Sequence, residues 1–173
     1  RTDPEKKETT FLCIGRLDKN KNHQLVMRAL YQIKHQVAFK LIIIGDGKEK
    51  NNLLAMSSEL GIADKVNIYP FTSNLSNYYL QADIFILSSL HEGFPNVLIE
   101  SMNYALPIIS SDCLSGPREL LAPKSDENEI LKNGYSKEEF GILYANNDVR
   151  SLADSILCLT NDSQLRDHYI KKS

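Results

Sequence analysis

Two cations, Arg16 and Lys21, stand five residues apart in Gly15-Arg16-Leu17-Asp18-Lys19-Asn20-Lys21-Asn22, directly after the apolar run Phe11-Leu12-Cys13-Ile14. A planar guanidinium fork and a mobile ammonium beside a helix start suit a diphosphate. A solvated basic loop explains the same residues on charge alone. Further on, Ser88-Ser89-Leu90-His91-Glu92-Gly93-Phe94-Pro95-Asn96-Val97-Leu98-Ile99-Glu100 carries two carboxylates eight positions apart. Pro95 reads as the first helical residue, Gly93 as a point where a ligand can approach backbone closely, and the amides after Pro95 as unpaired donors. Eight helical steps bring Glu92 and Glu100 within about 80° of each other, so both can face one pocket. Amides and cations would then hold phosphate while the carboxylates accept from sugar hydroxyls. The plainer reading is a capping Glu92 and a solvated Glu100.

Gly45-Asp46-Gly47-Lys48 begins like a dinucleotide fingerprint but has Lys50 where the third glycine belongs, so it is equally well a glycine turn. No GxxxxGK[ST] occurs, which counts against a P-loop nucleotidase. His91 reads either as a general base or as an ordinary loop histidine, and His23, His35 and His168 lack metal-ligand spacing and read as structural. Cys13, Cys113 and Cys158 are too far apart for a zinc or redox motif and read as packed thiols of a reducing compartment.

The elements that must position these residues alternate along the chain. Short runs rich in β-branched residues, each followed by a segment of helical period, predict strands at Thr10–Gly15, Phe39–Ile44, Val66–Pro70, Ile84–Ser88, Pro107–Ser111 and Phe140–Tyr144. Continuous apolar strands separated by helices imply an α/β domain, a Rossmann-like parallel six-stranded sheet with helices on both faces. Leu25/Val26, Ala29/Leu30 and Ile33 form one core-facing stripe, Leu53, Met56 and Leu60 a second, and Leu75, Tyr78/Tyr79 and Ala82 a third. Asp148 is expected to cap a helix carrying Leu152, Ile156 and Leu159, and Ser163 to cap the last one. In an open parallel sheet ligands sit outside the carboxyl ends of the strands, where the two charged stretches fall.

The 173 residues suit one domain, with 20 Lys+Arg against 22 Asp+Glu and a formal net charge of -2, which does not fit a basic nucleic-acid binder. No apolar run is long enough to span a bilayer, so a cytoplasmic protein is expected. Residues 1–8, with six charges and a proline, read as a linker that suggests something precedes it, leaving 9–173 as the folded unit.

Taken in order, Gly15-Arg16-Leu17 with Lys21, Ile44-Gly45-Asp46-Gly47, Glu92-Gly93-Phe94-Pro95 with Glu100, Pro107-Ile108-Ile109-Ser110-Ser111 and Gly116-Pro117-Arg118-Glu119 form one pattern. It resembles the C-terminal, donor-binding domain of the family-4 (group 1) retaining glycosyltransferases with the GT-B fold, over residues 9–160. The resemblance implies a hexosyltransferase or N-acetylhexosaminyltransferase that passes a sugar from a nucleotide-diphosphate sugar, UDP foremost, to an acceptor hydroxyl in polysaccharide or lipid-linked glycan synthesis. It implies Arg16 and Lys21 on the diphosphate, Glu92 beside the donor sugar and Glu100 on the ribose. Gly15, Gly45, Gly93 and the Phe94, Asn96 and Val97 amides fall around the phosphates and sugar, and the edge Tyr69-Pro70-Phe71 beside the base. No metal and no further cofactor are implied. The missing N-terminal domain would bring the acceptor, the full-length protein would sit peripherally at the cytoplasmic face of a membrane, and this domain alone would be inactive. An epimerase of the same fold, or a non-catalytic nucleotide-binding or docking domain, are the alternatives.

Overall fold

Neighbouring residues of the first apolar run enter different cores. In the computed structural model, which describes residues 8–126 and 129–172, β1 (Thr9–Ile14) sends Phe11 and Cys13 to one face of a sheet and Leu12 and Ile14 to the other. All four are buried, as a strand covered on both sides requires. Its parallel neighbours are β2 (Phe39–Ile44) and β4 (Ile84–Leu87); β3 (Val66–Tyr69) extends the sheet beyond β2, and β5 (Ile108–Asp112) and β7 (Ile142–Ala145) extend it beyond β4.

Helices cover both faces. Onto the first pack α1 (His23–Gln32), α2 (Lys50–Glu59), α6 (Val149–Asn161) and α7 (Ser163–Lys172), through Leu25, Val26 and Leu30, Leu53, Leu152 and Ile156, and Tyr169. Onto the second pack α3 (Ser76–Gln81), α4 (Asn96–Asn103) and α5 (Pro117–Leu121), through Tyr79, Leu98 and Leu121. Each fully buried aliphatic or aromatic side chain contributes about 1.5–3 kcal/mol relative to exposure, so these two layers hold the sheet. The expected stripes are thus the core faces. Cys13 and Cys113 are buried free thiols, and Cys158 is half-buried.

Three expectations change. The described residues form seven strands in the order β3-β2-β1-β4-β5-β7-β6, because β6 (Tyr135–Lys137), where no strand is expected, pairs antiparallel with β7. A three-residue edge strand with one partner needs little apolar signal, and its Lys137 is the kind of residue that protects an edge. Pro95, at φ −79 and ψ 84, stands just before α4 rather than inside it. Ser163 is not the cap of α7; Asp162 Oδ1 accepts from Leu165 N at 2.9 Å and fills that role. Asp148 does cap α6, accepting from Arg150 N at 2.9 Å and Ser151 N at 3.3 Å. Of the expected linker only Glu8 is described, and Glu127 and Asn128 of the polar stretch after α5 also lie outside the described residues.

Candidate functional site

From β1 the chain winds outward through β2 and β3, then returns to place β4 on the opposite side of β1. At such a reversal the loops after the two central strands leave in opposite directions and open a crevice. Those loops are tied together. Leu90 N donates to Asn20 O at 2.8 Å, His91 N to Asn20 Oδ1 at 3.2 Å, Asn20 Nδ2 to His91 O at 2.9 Å, and Ser88 Oγ to Lys21 O at 2.7 Å. His91 therefore serves this clasp through its main chain. From the other side, Asn146 Nδ2 donates to Leu90 O at 2.8 Å.

The glycines of Gly45-Asp46-Gly47 bring the loop after β2 against the loop after β1. A Cβ on Gly45 would lie 1.9 Å from Gly15 O, and one on Gly47 2.2 Å from Leu17 O, both on backbone that cannot yield. The contact is held by Leu17 N to Asp46 O at 2.8 Å and Glu49 N to Leu17 O at 2.9 Å. Asp46 Oδ2 then accepts from Phe71 N at 3.0 Å, fixing a third loop. The fingerprint-like glycines are accounted for by this close approach.

Between these loops and α4 lies a cleft of about 560 Å³, within the usual size of small-molecule sites. Gly15, Arg16, Lys21, Gly45, Phe71, Val97 and Glu100, all singled out from the sequence, meet in its lining, and Ile14, Asp46 and Leu75 complete it. Glu92, Gly93, Phe94 and Asn96 lie outside that lining. Arg16 is largely exposed and 3.4 Å from Asp18. Lys21 Nζ is 2.6 Å from Glu92 Oε1, which also accepts from Ser89 Oγ at 2.5 Å. With its side chain only 9% exposed, Glu92 is occupied in holding Lys21. An ammonium has three donors, so this pairing leaves two for a ligand.

The Gly93-Phe94-Pro95 loop is shaped from beyond β5. Ser115 Oγ donates to Glu92 O at 2.9 Å, and a Cβ on Gly116, at φ +86, would fall 2.5 Å from Pro95 Cδ and 2.7 Å from Gly93 O. Asn96 N turns back on Phe94 O at 3.0 Å and is not an unpaired amide. Val97 N donates to no described residue. In α4, Glu100 Oε2 accepts from Tyr79 OH at 2.8 Å. Arg118, part of the pattern read in the sequence, is structural: it grips buried Asp112 through Nε–Oδ1 at 3.0 Å and Nη2–Oδ2 at 2.5 Å, while Leu131 N donates to the same carboxylate at 2.7 Å.

Sequence reasoning passed over Asn20, Asp46, Tyr79, Ser89 and Asp112. The partners of Asn20, Asp46, Tyr79 and Asp112 lie on other elements, and only Tyr79, with a hydroxyl on a core-facing stripe, carried a hint. His23 is buried under the first loop, and neither ring nitrogen has a hydrogen-bond partner among the described residues. Burial lowers its pKa from 6.5 to about 4; the nearby backbone of Arg16 and Gly15 favours the charged form and opposes this only in part, while the Lys21 charge adds to it. A depressed histidine pKa means that the unfolded chain binds more protons between about 4 and 6.5, so stability is fully present above that window and is lost as pH falls through it. Between pH 7 and pH 5 urea unfolding should show a loss of about 2 kcal/mol attributable to this group. His23→Asn should abolish that component; an unchanged slope would show that His23 is not the group responsible.

Among the described residues no three His, Cys, Asp or Glu side chains form a metal-holding cluster, and no helix is long and apolar enough to cross a membrane. The family model of the glycosyl transferases group 1 matches residues 1–173. A relative from Campylobacter jejuni, the N-acetylgalactosamine-N,N'-diacetylbacillosaminyl-diphospho-undecaprenol 4-alpha-N-acetylgalactosaminyltransferase, is 34% identical over 167 residues, 96% of this chain and 41% of its own length. The solved apo form of the lipopolysaccharide outer core galactosyltransferase WaaB superposes with a TM-score of 0.76 at 27% identity, over 98% of this chain and 45% of that one. Anabaena Alr3699/HepE, solved in complex with UDP, has the same fold at a TM-score of 0.78 and 21% identity, over 95% of this chain and 42% of that one. The chain thus spans less than half the length of the proteins it matches.

Proposed function

Because the chain belongs to the group 1 glycosyl transferases, we propose that it is the donor-binding half of a GT-B enzyme and that its cleft holds a nucleotide-diphosphate sugar, with UDP as the nucleotide. The observation that carries this reading is the meeting of Arg16, Lys21, Val97 and Glu100 around one cleft to which Ile14, Phe71 and Leu75 give an apolar wall. Cations and the Val97 N–H suit the diphosphate, the carboxylate the ribose hydroxyls, and the apolar wall a flat base. UDP is the nucleotide in the solved complex of Alr3699/HepE.

In this reading the sugar passes to an acceptor hydroxyl with retention while Arg16 and Lys21 stabilise the departing diphosphate, assigning charge neutralisation to side chains rather than to a metal. Glu92 acts by holding Lys21 over the phosphates. The transferred sugar is a hexose or N-acetylhexosamine, and the product a surface polysaccharide or lipid-linked glycan made at the cytoplasmic face of a membrane. Support for that class comes from the undecaprenol-linked and lipopolysaccharide substrates in the names of similar proteins.

Two results test it. A charged hydrogen bond is worth about 1.5–3 kcal/mol, so Glu100→Ala should weaken UDP binding at least about tenfold in calorimetry, with circular dichroism unchanged. Equal affinity would remove the ribose assignment. The 173-residue chain alone should give no glycosylated product, and joining it to an acceptor-binding half should restore transfer, because both reactants must share one geometry. Transfer by the chain alone would refute the division of labour, and release of an altered free sugar would favour epimerisation.

A further inference from the structure

Glu100 is not a loose surface carboxylate. Its Oε2 accepts from the hydroxyl of Tyr79, which is 2% exposed on the neighbouring helix, at 2.8 Å. The Tyr79 ring is itself clamped: it stacks on Tyr104 with centroids 4.7 Å apart and 11° between planes, and lies 6.4 Å from Phe85 on the other contact. Tyr104 is in turn anchored to α3 through its own hydroxyl, which donates to Ser76 Oγ at 2.7 Å. Burial and the adjacent carboxylate push the Tyr79 phenol well above its usual range, so it remains a donor at any pH of interest. Glu100 Oε1 accepts from no described residue, while Glu100 lines the cleft.

One carboxylate oxygen is therefore fixed by a rigid buried donor, and the other is left for the ligand. Resting on the ribose reading of Glu100, we propose that Tyr79 is the positioning residue that gives this cleft its preference for ribonucleoside over deoxyribonucleoside diphosphates. A carboxylate with three rotatable bonds can turn to suit whatever hydroxyls remain; one pinned at Oε2 presents Oε1 in a single direction and is left unpaired when the matching hydroxyl is missing. Specificity in a site built to hydrogen-bond a hydroxyl comes from that unpaired group, and rigidity is what prevents its escape.

The experiment is a set of calorimetric titrations of UDP and 2′-deoxy-UDP into wild type, Tyr79→Phe, Glu100→Ala and the double variant. Wild type should prefer UDP by about tenfold or more. Tyr79→Phe, which keeps the ring and its stacking, should reduce that preference to about threefold or less, mainly by weakening UDP. In the Glu100→Ala background the same substitution should change the preference no further, an outcome that a general loss of packing would not produce. Tyr104→Ala leaves the phenol in place but removes its stacking partner, and should lower the preference part of the way. Wild type without any preference would overturn the ribose reading and this inference together. A wild-type preference that survives intact in folded Tyr79→Phe would overturn the role of Tyr79 alone.

Discussion

Lys21→Met is expected to weaken UDP binding by about ten- to 150-fold and to reduce transfer by the proposed two-domain enzyme by roughly 10²–10³-fold. The ammonium lines the cleft on a stem laid along Gly15, whose absent Cβ would lie 3.2 Å from Lys21 Cδ. In the proposed site, deleting it would remove a cation from the diphosphate and leave Glu92, a nearly buried carboxylate, without its partner. Glu92→Gln should act in the opposite sense on binding: it keeps the shape, lifts the competing negative charge, and leaves UDP affinity unchanged or higher while transfer falls because Lys21 is no longer held in place. The pair is coupled at 2.6 Å, so adding Glu92→Gln to Lys21→Met should recover part of the lost affinity. Titrations of the three variants at one ionic strength check this. Weaker UDP binding by Glu92→Gln than by wild type would contradict this balance, since it would mean that positioning Lys21 outweighs the negative charge that is lifted.

Arg118→Leu is expected to cost about 3–5 kcal/mol of stability, since it leaves the Asp112 carboxylate, fully buried, with no cation. For a chain of this size that lowers the melting temperature by roughly 6–20 °C. The double variant Asp112→Leu/Arg118→Leu should regain much of the loss, because replacing both charges removes the uncompensated one. The same pair anchors Leu131 N, so partial unfolding in the single variant should begin in the stretch between α5 and β6 and be visible as faster amide exchange there. A melting temperature within 2 °C of wild type would contradict the structural assignment, by the size scaling just used.

These two cases show what could be read from the chain and what could not. Strands such as Phe39–Ile44 and Ile84–Leu87 were legible because burial on both faces writes an unbroken apolar run, whereas Tyr135–Lys137 was not, since an edge strand of three residues writes almost none. The cleft lining was legible through residues that follow strands. The carboxylates were only half legible: helical arithmetic from Glu100 back to Glu92 fails at Pro95, whose ψ of 84 breaks the turn and sends Glu92 toward Lys21. Arg118 was visible as part of a pattern, but its purpose depends on Asp112 across the turn after β5, and Tyr79 showed a core-facing position without showing what its hydroxyl would meet. Periodicity reports which face a residue occupies; hydrogen-bond partners on distant elements are fixed only by the packed sheet.

The most direct measurement is the titration of UDP into the 173-residue chain by isothermal calorimetry. If the cleft between the loops after β1 and β2 and helix α4 is a nucleoside-diphosphate site, heat should fit one site with a dissociation constant of roughly 10 to 200 µM, about −5 to −7 kcal/mol, weakening partly with added salt. Folded protein that gives no binding heat with UDP up to several millimolar would contradict it.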